Sequence, residues 1–229
     1  MAIQLLKGKV VLKSLIAKDT FVLRLMVDGI ESFDFQPGQF VTITVAPNVK
    51  RSYSIASIPG KDHIELIADT VRGGPGSQFF VNVKEGDIVE FLFPLGMFFY
   101  KESERPVYFF GTGTGLVPLI SMVEYALTTL KTARKVVFYA GFRHLEEVFS
   151  KEQLELLDIK FENLTFALNL TQPPEDWTMG IGRITQYIDT LKEKDIDVYI
   201  CGSQQMVIDV KDRLIAKGVP KEQIYHEMF

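Results

Sequence analysis

Arg51-Ser52-Tyr53-Ser54-Ile55-Ala56-Ser57 gathers a guanidinium, a flat aromatic ring and three hydroxyls into seven residues. That is more polar capacity than a half-buried strand needs. Two readings compete. One is a grip for a ligand that carries both phosphate and a planar ring, because a guanidinium forks onto phosphate and an aromatic face stacks on a flat group at little entropic cost. The other is an edge strand with a solvated polar face. Upstream, Gln36-Pro37-Gly38-Gln39-Phe40 is a turn that feeds an alternating run over residues 40–45, so the heptad falls on the strand after a hairpin-like connection. That context favours the site.

Outward from the heptad, the first hundred residues carry the period of strands buried on one face. Val10 and Leu12, then Phe21, Leu23, Leu25 and Val27, then Ile64, Leu66 and Ala68 alternate with polar or smaller residues, and 87–93 adds another run. Turn signals at Gly29, Pro37-Gly38, Pro47-Asn48, Pro59-Gly60 and Glu85-Gly86 separate them. Short strands at close spacing predict a small antiparallel β-barrel. Beyond Arg105-Pro106 the pattern becomes strand and helix in alternation, with strands over 107–110, 135–139, 164–168 and 198–201 and helices over 116–130, 145–157, 184–192 and 206–217. Such alternation predicts an α/β domain with a parallel sheet covered on both faces. The expected domains are therefore 1–104 and 105–229.

Two glycine-rich turns add to the heptad. Gly73-Gly74-Pro75-Gly76-Ser77 leads into apolar Phe79-Phe80-Val81 and reads as a turn entering a short helix, with Ser77 as its cap or an anion at its exposed amides. Val107-Tyr108-Phe109-Phe110 delivers Gly111-Thr112-Gly113-Thr114-Gly115 to a helix start, where a dinucleotide pyrophosphate binds at the carboxyl end of a first parallel strand. Leu116 occupies the third glycine position of the common dinucleotide fingerprint, and no acidic residue ends the next strand at Tyr139-Ala140-Gly141.

In order, these segments resemble the motifs of the ferredoxin-NADP reductase family. Arg-x-Tyr-Ser-x-x-Ser is similar to its first flavin motif, Gly-Gly-x-x-Ser to the segment that receives the FAD pyrophosphate, and Gly-Thr-Gly-x-Gly to its nucleotide loop. The resemblance implies a two-domain architecture, a β-barrel FAD-binding domain followed by an α/β NAD(P)-binding domain. It implies FAD contacts from Arg51, Tyr53, Ser54, Ser57, Gly73, Gly74, Gly76 and Ser77. Nicotinamide nucleotide contacts are implied for Gly111, Thr112, Gly113, Thr114, Gly115, Arg143, Gly202 and Met206. Pro94-Leu95-Gly96-Met97-Phe98 resembles the family's junction segment, and Cys201-Gly202-Ser203-Gln204-Gln205-Met206 the strand end beside the nicotinamide. In the family the motif's Tyr-Ser serine lies near flavin N5, the Cys lies near nicotinamide C4, and the closing segment packs over the flavin, which together imply catalytic places for Ser54, Cys201, Glu227 and Phe229. The bland readings are an inert buried thiol for Cys201 and a final strand that buries Phe229 in the sheet.

The implied activity is an FAD-dependent oxidation of NADH or NADPH, with electrons leaving to a separate ferredoxin, flavodoxin or oxygenase component. A free-flavin reductase and a non-autonomous electron-transfer subunit are the alternatives; the former has no need of the ADP grip at Gly73, Gly74 and Ser77. Lys plus Arg number 25 against 29 Asp plus Glu, a net charge of −4, so nothing points to nucleic acid or an anionic membrane. The longest apolar run, 91–100, contains Pro94 and Gly96 and is too short to span a bilayer, so no membrane insertion and a cytoplasmic location are expected. The single cysteine excludes an intrachain disulfide and a four-thiolate iron–sulfur cluster held by this chain alone. His63, His144 and His226 are too scattered for a metal site.

Overall fold

The computed structural model describes residues 2–229. It divides into two compact units, one running up to Tyr100 and including Ile120–Tyr125, the other made of Lys101–Leu119 and Ala126–Phe229.

The first unit contains β1 (Gln4–Ala17), β2 (Thr20–Met26), β3 (Phe40–Ala46), β4 (Val49–Ser54), β5 (His63–Asp69), α1 (Pro75–Asn82) and β6 (Ile88–Leu95). The strands form one antiparallel sheet in the order β4-β3-β6-β1-β2-β5. Its two edges meet just past β4, where Ile55 bridges Leu66 and the Ala56 amide donates to the Glu65 carbonyl at 2.7 Å. The sheet thus closes on itself as the barrel the alternation predicts. Tight turns are set by residues that tolerate the left-handed region: Asp19 between β1 and β2, and Asn48 after Pro47 between β3 and β4. Inward positions interdigitate as Val10, Leu23, Leu25, Ile43, Ile64, Leu66 and Phe91, all essentially without solvent exposure.

The second unit holds β7 (Val107–Thr112), the two ends of α2 (Leu116–Thr128, whose middle counts with the first unit), β8 (Val136–Phe142), α3 (Lys151–Lys160), β9 (Leu164–Leu170), β10 (Gly180–Ile181), α4 (Gln186–Thr190), β11 (Asp197–Gly202), α5 (Gln204–Ala216) and β12 (Ile224–Met228). All pairs are parallel, in the order β10-β9-β8-β7-β11-β12. Both faces of β7 and β11 are buried, which is why they read as continuous apolar runs rather than alternations. The middle of the sheet is an aromatic stack, with Tyr199 at 5.4 Å from Phe109 and 4.8 Å from Tyr225.

Two helices differ from the sequence expectation. The run 145–157 is not one helix: residues 145–147 make a single 3-10 turn, Ser150 takes φ 55°, and α3 begins at Lys151. Burial of Phe149, edge-on to Phe142 at 5.5 Å, turns the chain inward and breaks the period. Over 184–192 only Gln186–Thr190 is α-helical.

At the amino end of β11, the Asp197 carboxylate accepts from Arg134 Nη2 at 2.7 Å and Arg105 Nη2 at 2.9 Å, and also from the Ser103 hydroxyl. The side chains of Arg134 and Asp197 are each 2% exposed. Removing one member of such a pair strands the other's charge in a poorly solvated place. Asp197→Ala is expected to destabilise this unit by about 3–5 kcal/mol and to lower its unfolding temperature by roughly 6–20 °C, read by calorimetry; a shift under a degree would mean that water solvates Arg134.

Candidate functional site

In the first unit the site is built where β4 meets the start of α1. Helix α1 begins with Gly74 as its cap residue and Pro75 at the first helical position. Ser77 does not cap it, since no side chain accepts from its first turn. The amides of Gly76 and Ser77 therefore have no partner within the helix, the arrangement that attracts an anion. Gly73, at φ 65°, and Gly74 have nothing within 4 Å of where a Cβ would stand, so the approach to these amides is open.

Gly76 brings the two motifs together. A Cβ there would lie 2.5 Å from Tyr53 Oη and 3.4 Å from Arg51 Cγ, so only a glycine lets the helix start lie against the heptad. From the other side the Tyr53 ring leans on Phe80, one helical turn on, at 4.9 Å. Burial pushes the Tyr53 phenol up to about 12, with Arg51 opposing. Two hydroxyls here are buried without a hydrogen-bond partner, Tyr53 Oη and Ser54 Oγ. Each such group costs on the order of 1–3 kcal/mol when nothing binds it. The exposed Arg51 donates only to the neighbouring Lys50 carbonyl, at 2.8 Å.

Ser57 departs from this group. It is 1% exposed, and its hydroxyl accepts the Glu65 amide at 3.1 Å, so it serves the barrel seam instead of facing a ligand.

In the second unit a cleft of about 580 Å³ opens at the carboxyl ends of the parallel strands, with Thr112, Gly113, Arg143, Arg183, Ser203 and Met206 in its wall. The glycine loop divides its labour. Gly113, at φ 54°, has open space where a Cβ would be. Gly111 and Gly115 are buried and do not reach the cleft: the first lies under Leu116 and Leu119, and the second packs against the backbone of Cys201 and Gly202. Thr114 sits between them in a 3-10 turn. Gly202, at φ 152°, approaches Thr112 so closely that a side chain would overlap the Thr112 hydroxyl. Ser203 caps α5 by accepting the Met206 amide, so a second helix start also faces the cleft.

Arg183 was not singled out as a site residue from the sequence. It follows Gly180-Ile181-Gly182, and the structure sets it in the same wall as Arg143. The local signal in the chain was a cation directly after two closely spaced glycines. Glu147 also lines the cleft, its carboxylate accepting the Arg143 and His144 amides at 3.2 and 3.3 Å.

Beside this cleft, Cys201 is fully buried and its thiol is held well above the ordinary range, first by burial and then by Glu227. Glu227 pairs with Cys201 in the β11–β12 register, and its Oε2 is buried without a partner. Burial pushes the Glu227 carboxyl up to about 7. Phe229 is 48% exposed, so it is not packed into the sheet, although its amide donates to the Gly202 carbonyl at 3.2 Å. Among the described residues no group of three or more His, Cys, Asp or Glu could hold a metal ion, and no helix is long and apolar enough to cross a membrane.

The oxidoreductase FAD-binding domain family matches residues 7–100, and the oxidoreductase NAD-binding domain family matches residues 109–212. The chain is 30% identical to the ferredoxin–NAD(P)(+) reductase component of the naphthalene 1,2-dioxygenase system of Pseudomonas putida, over 99% of this chain and 69% of that protein. This chain belongs to the ferredoxin-NADP reductase family. Among its relatives in this family is the toluate 1,2-dioxygenase electron transfer component of Pseudomonas putida, 27% identical over 93% of this chain and 64% of that one. A crystal structure of the Amycolatopsis cytochrome P450 reductase GcoB superposes with a TM-score of 0.90 at 25% identity, over 99% of this chain and 70% of that one. The chain thus spans roughly two thirds of the length of these family members. FAD and a nicotinamide nucleotide are the cofactors of its two domains.

Two outcomes are expected from this geometry. Gly76→Ala should push the Tyr53 ring aside while the barrel still folds, and lower FAD affinity at least ~10-fold, a loss of about 1.4 kcal/mol, in a flavin fluorescence titration; unchanged affinity would detach Tyr53 from the cofactor. For Glu227 the folded-state value of about 7 lies above the ordinary 4.5. Its neutral form therefore favours the fold below about pH 4.5, and that contribution is lost as pH rises to about 7. Glu227→Gln should match the wild type in denaturant unfolding at low pH and be more stable by about 2–3 kcal/mol above pH 7; a difference independent of pH would show that water reaches Oε2.

Proposed function

We propose that this chain is an FAD-dependent NAD(P)H reductase that hands electrons to a separate one-electron acceptor, with residues 1–104 binding FAD and 105–229 binding the nicotinamide nucleotide. The observation that carries the reading is the pair of buried, unpartnered hydroxyls, Tyr53 Oη and Ser54 Oγ, set beside Arg51 and the open first turn of α1. A barrel that served only as a scaffold would gain by replacing them with apolar groups. A ligand with a polar ring edge and a diphosphate satisfies both hydroxyls, the amides and the guanidinium at once.

In this reading Arg51 and the amides of Gly76 and Ser77 hold phosphate, Tyr53 lies against the ring system, and Ser54 presents its hydroxyl to the ring's polar edge. Bound FAD supplies a two-electron acceptor that releases electrons one at a time. Thr112, Gly113 and the start of α5 hold the nucleotide's diphosphate, with Arg143 and Arg183 as the cations of the cleft. Gly202 leaves room for a flat ring near Cys201, whose buried neutral thiol packs without reacting. Burial pushes the Glu227 carboxyl up to about 7, so near neutral pH it carries its charge only part of the time. Phe229, half-exposed, is the cover of the ring in this reading. The acceptor class, a ferredoxin, flavodoxin or oxygenase component, is inferred from the relatives that serve dioxygenase systems. A cytoplasmic location agrees with a supply of reduced nicotinamide nucleotide.

NADH is the donor this cleft suits, because the Glu147 carboxylate stands in the same wall as Arg143 and opposes the extra charge of a 2′-phosphate. Anaerobic stopped-flow mixing of the FAD-loaded chain with each donor, followed by a one-electron acceptor, tests the whole reading. Bleaching of the flavin absorbance by NADH faster than by NADPH, then reoxidation by the acceptor, is expected. A colourless protein that takes up no FAD, or a flavin that neither donor reduces, would overturn it.

A further inference from the structure

Helix α1 is only eight residues long, about 12 Å from end to end, and has no basic residue in its last turn. It therefore brings no cation of its own to the carbonyls left open at its carboxyl end. The cation comes from β1, 68 positions ahead of Val81. Lys13 Nζ donates to the Val81 carbonyl at 2.6 Å and to the Val83 carbonyl at 2.8 Å. The Lys13 amide donates to the Glu85 carboxylate at 3.0 Å, in the loop that leaves the helix.

A bulge in β1 aims this side chain. Val10 is buried and pairs with Leu25, so simple alternation would put Lys13 on the opposite face, with Lys9 and Val11. The register shift between Val10 and Leu12 inserts one residue and reverses the parity. Lys13 then pairs with the fully buried Leu23 and lies on its side of the sheet. The ammonium stands 5.1 Å from the centroid of the Phe21 ring and ends on α1. The same stretch of β1 also holds the loop after the helix: the Val10 carbonyl accepts the Gly86 amide at 2.8 Å, and the Val10 amide donates to the Asp87 carbonyl at 2.9 Å.

The two ends of α1 are thus held unequally. At the amino end Gly76 meets the tip of the Tyr53 side chain, which can swing away. At the carboxyl end an ammonium bonds two main-chain carbonyls, and such charge-assisted bonds are roughly twice as strong as neutral ones. A rod this short tilts when its firm end is released, and a tilt carries the amides of Gly76 and Ser77 away from Arg51. We propose that Lys13 is a positioning residue for the diphosphate of the flavin: acting at the far end of α1, it sets where the first turn stands beside Arg51. This inference rests on the assignment of phosphate to that first turn.

Lys13→Met keeps an apolar stem beside Phe21 and removes both donors, so it isolates the bonds to α1. In the flavin-free full chain, hydrogen exchange at the α1 amides should quicken ~10-fold or more, while β2 and β5 keep their wild-type protection. FAD affinity, from a flavin fluorescence titration, should fall ~10-fold or more. Lys13→Arg, whose guanidinium can reach two carbonyls, should bind FAD within ~3-fold of the wild type. Lys13→Gln, a milder change that serves if the methionine variant does not fold, should lose ~3-fold. A lysine that only held the barrel together would give another pattern. Quickened exchange across β2 and β5, α1 amides that exchange as in the wild type, folded variants with unchanged FAD affinity, or an arginine no better than methionine would each overturn the positioning role and leave the phosphate assignment in place. A wild type that binds no FAD would overturn that assignment, and the role of Lys13 with it.

Discussion

Close approach of backbone to backbone, at points where no Cβ fits, is the constraint on which both candidate sites depend. In the second unit, Gly115 at the start of α2 presses on the backbone of Cys201 and Gly202, and Gly202 presses in turn on Thr112. These contacts draw together the carboxyl ends of β7 and β11, which are neighbours in the sheet. Two helix starts then face one cleft. In the first unit Gly76 plays the same part between α1 and Tyr53. A methyl at Gly115 would meet backbone, which can move only if the strand moves. One at Gly76 would meet the end of a side chain, which can swing away. The glycine loop after β7 is therefore tied to the stability of its unit, whereas the approach of α1 to Tyr53 is separable from it.

The second theme is polar capacity held in reserve. Tyr53 Oη, Ser54 Oγ and Glu227 Oε2 are buried side-chain atoms without a hydrogen-bond partner. Native structures leave few such atoms, because each forfeits solvation that folding does not return. Three of them lie on residues singled out by the sequence motifs, which leaves polar capacity there for a ligand. The Asp197 cluster is the opposite case. Its carboxylate is saturated by Arg134, Arg105 and Ser103, at the end of β11 away from the cleft, and it anchors the strand that carries Cys201 and Gly202.

Much was legible in the chain without coordinates. Predominant alternation over β2, β3 and β5 and continuous apolar runs at β7 and β11 pointed to a one-sided sheet followed by a two-sided one, because the period of burial is a local property. The expectation of a boundary at residues 101–106 came from the change of pattern there, for the same reason. The heptad and both glycine loops stood out through residue type, since guanidinium, hydroxyl and glycine have few substitutes in anion-binding turns.

Tertiary structure alone decided which of those residues face a ligand. Ser57 and Ser54 look equivalent in the sequence, yet closure of the barrel commits one hydroxyl to the Glu65 amide and leaves the other without a partner. Five residues of the nucleotide loop look interchangeable as binders, yet packing assigns Gly111 and Gly115 to the interior and Gly113 to the cleft. Arg183 joins Arg143, forty positions away, only because β8 and β9 are adjacent and the turn before α4 returns over their ends. Periodicity fixes which element a residue belongs to and which way it points within that element. Who meets whom across the fold depends on how the closed barrel and the twisted sheet bring distant segments together, and no local pattern carries that information.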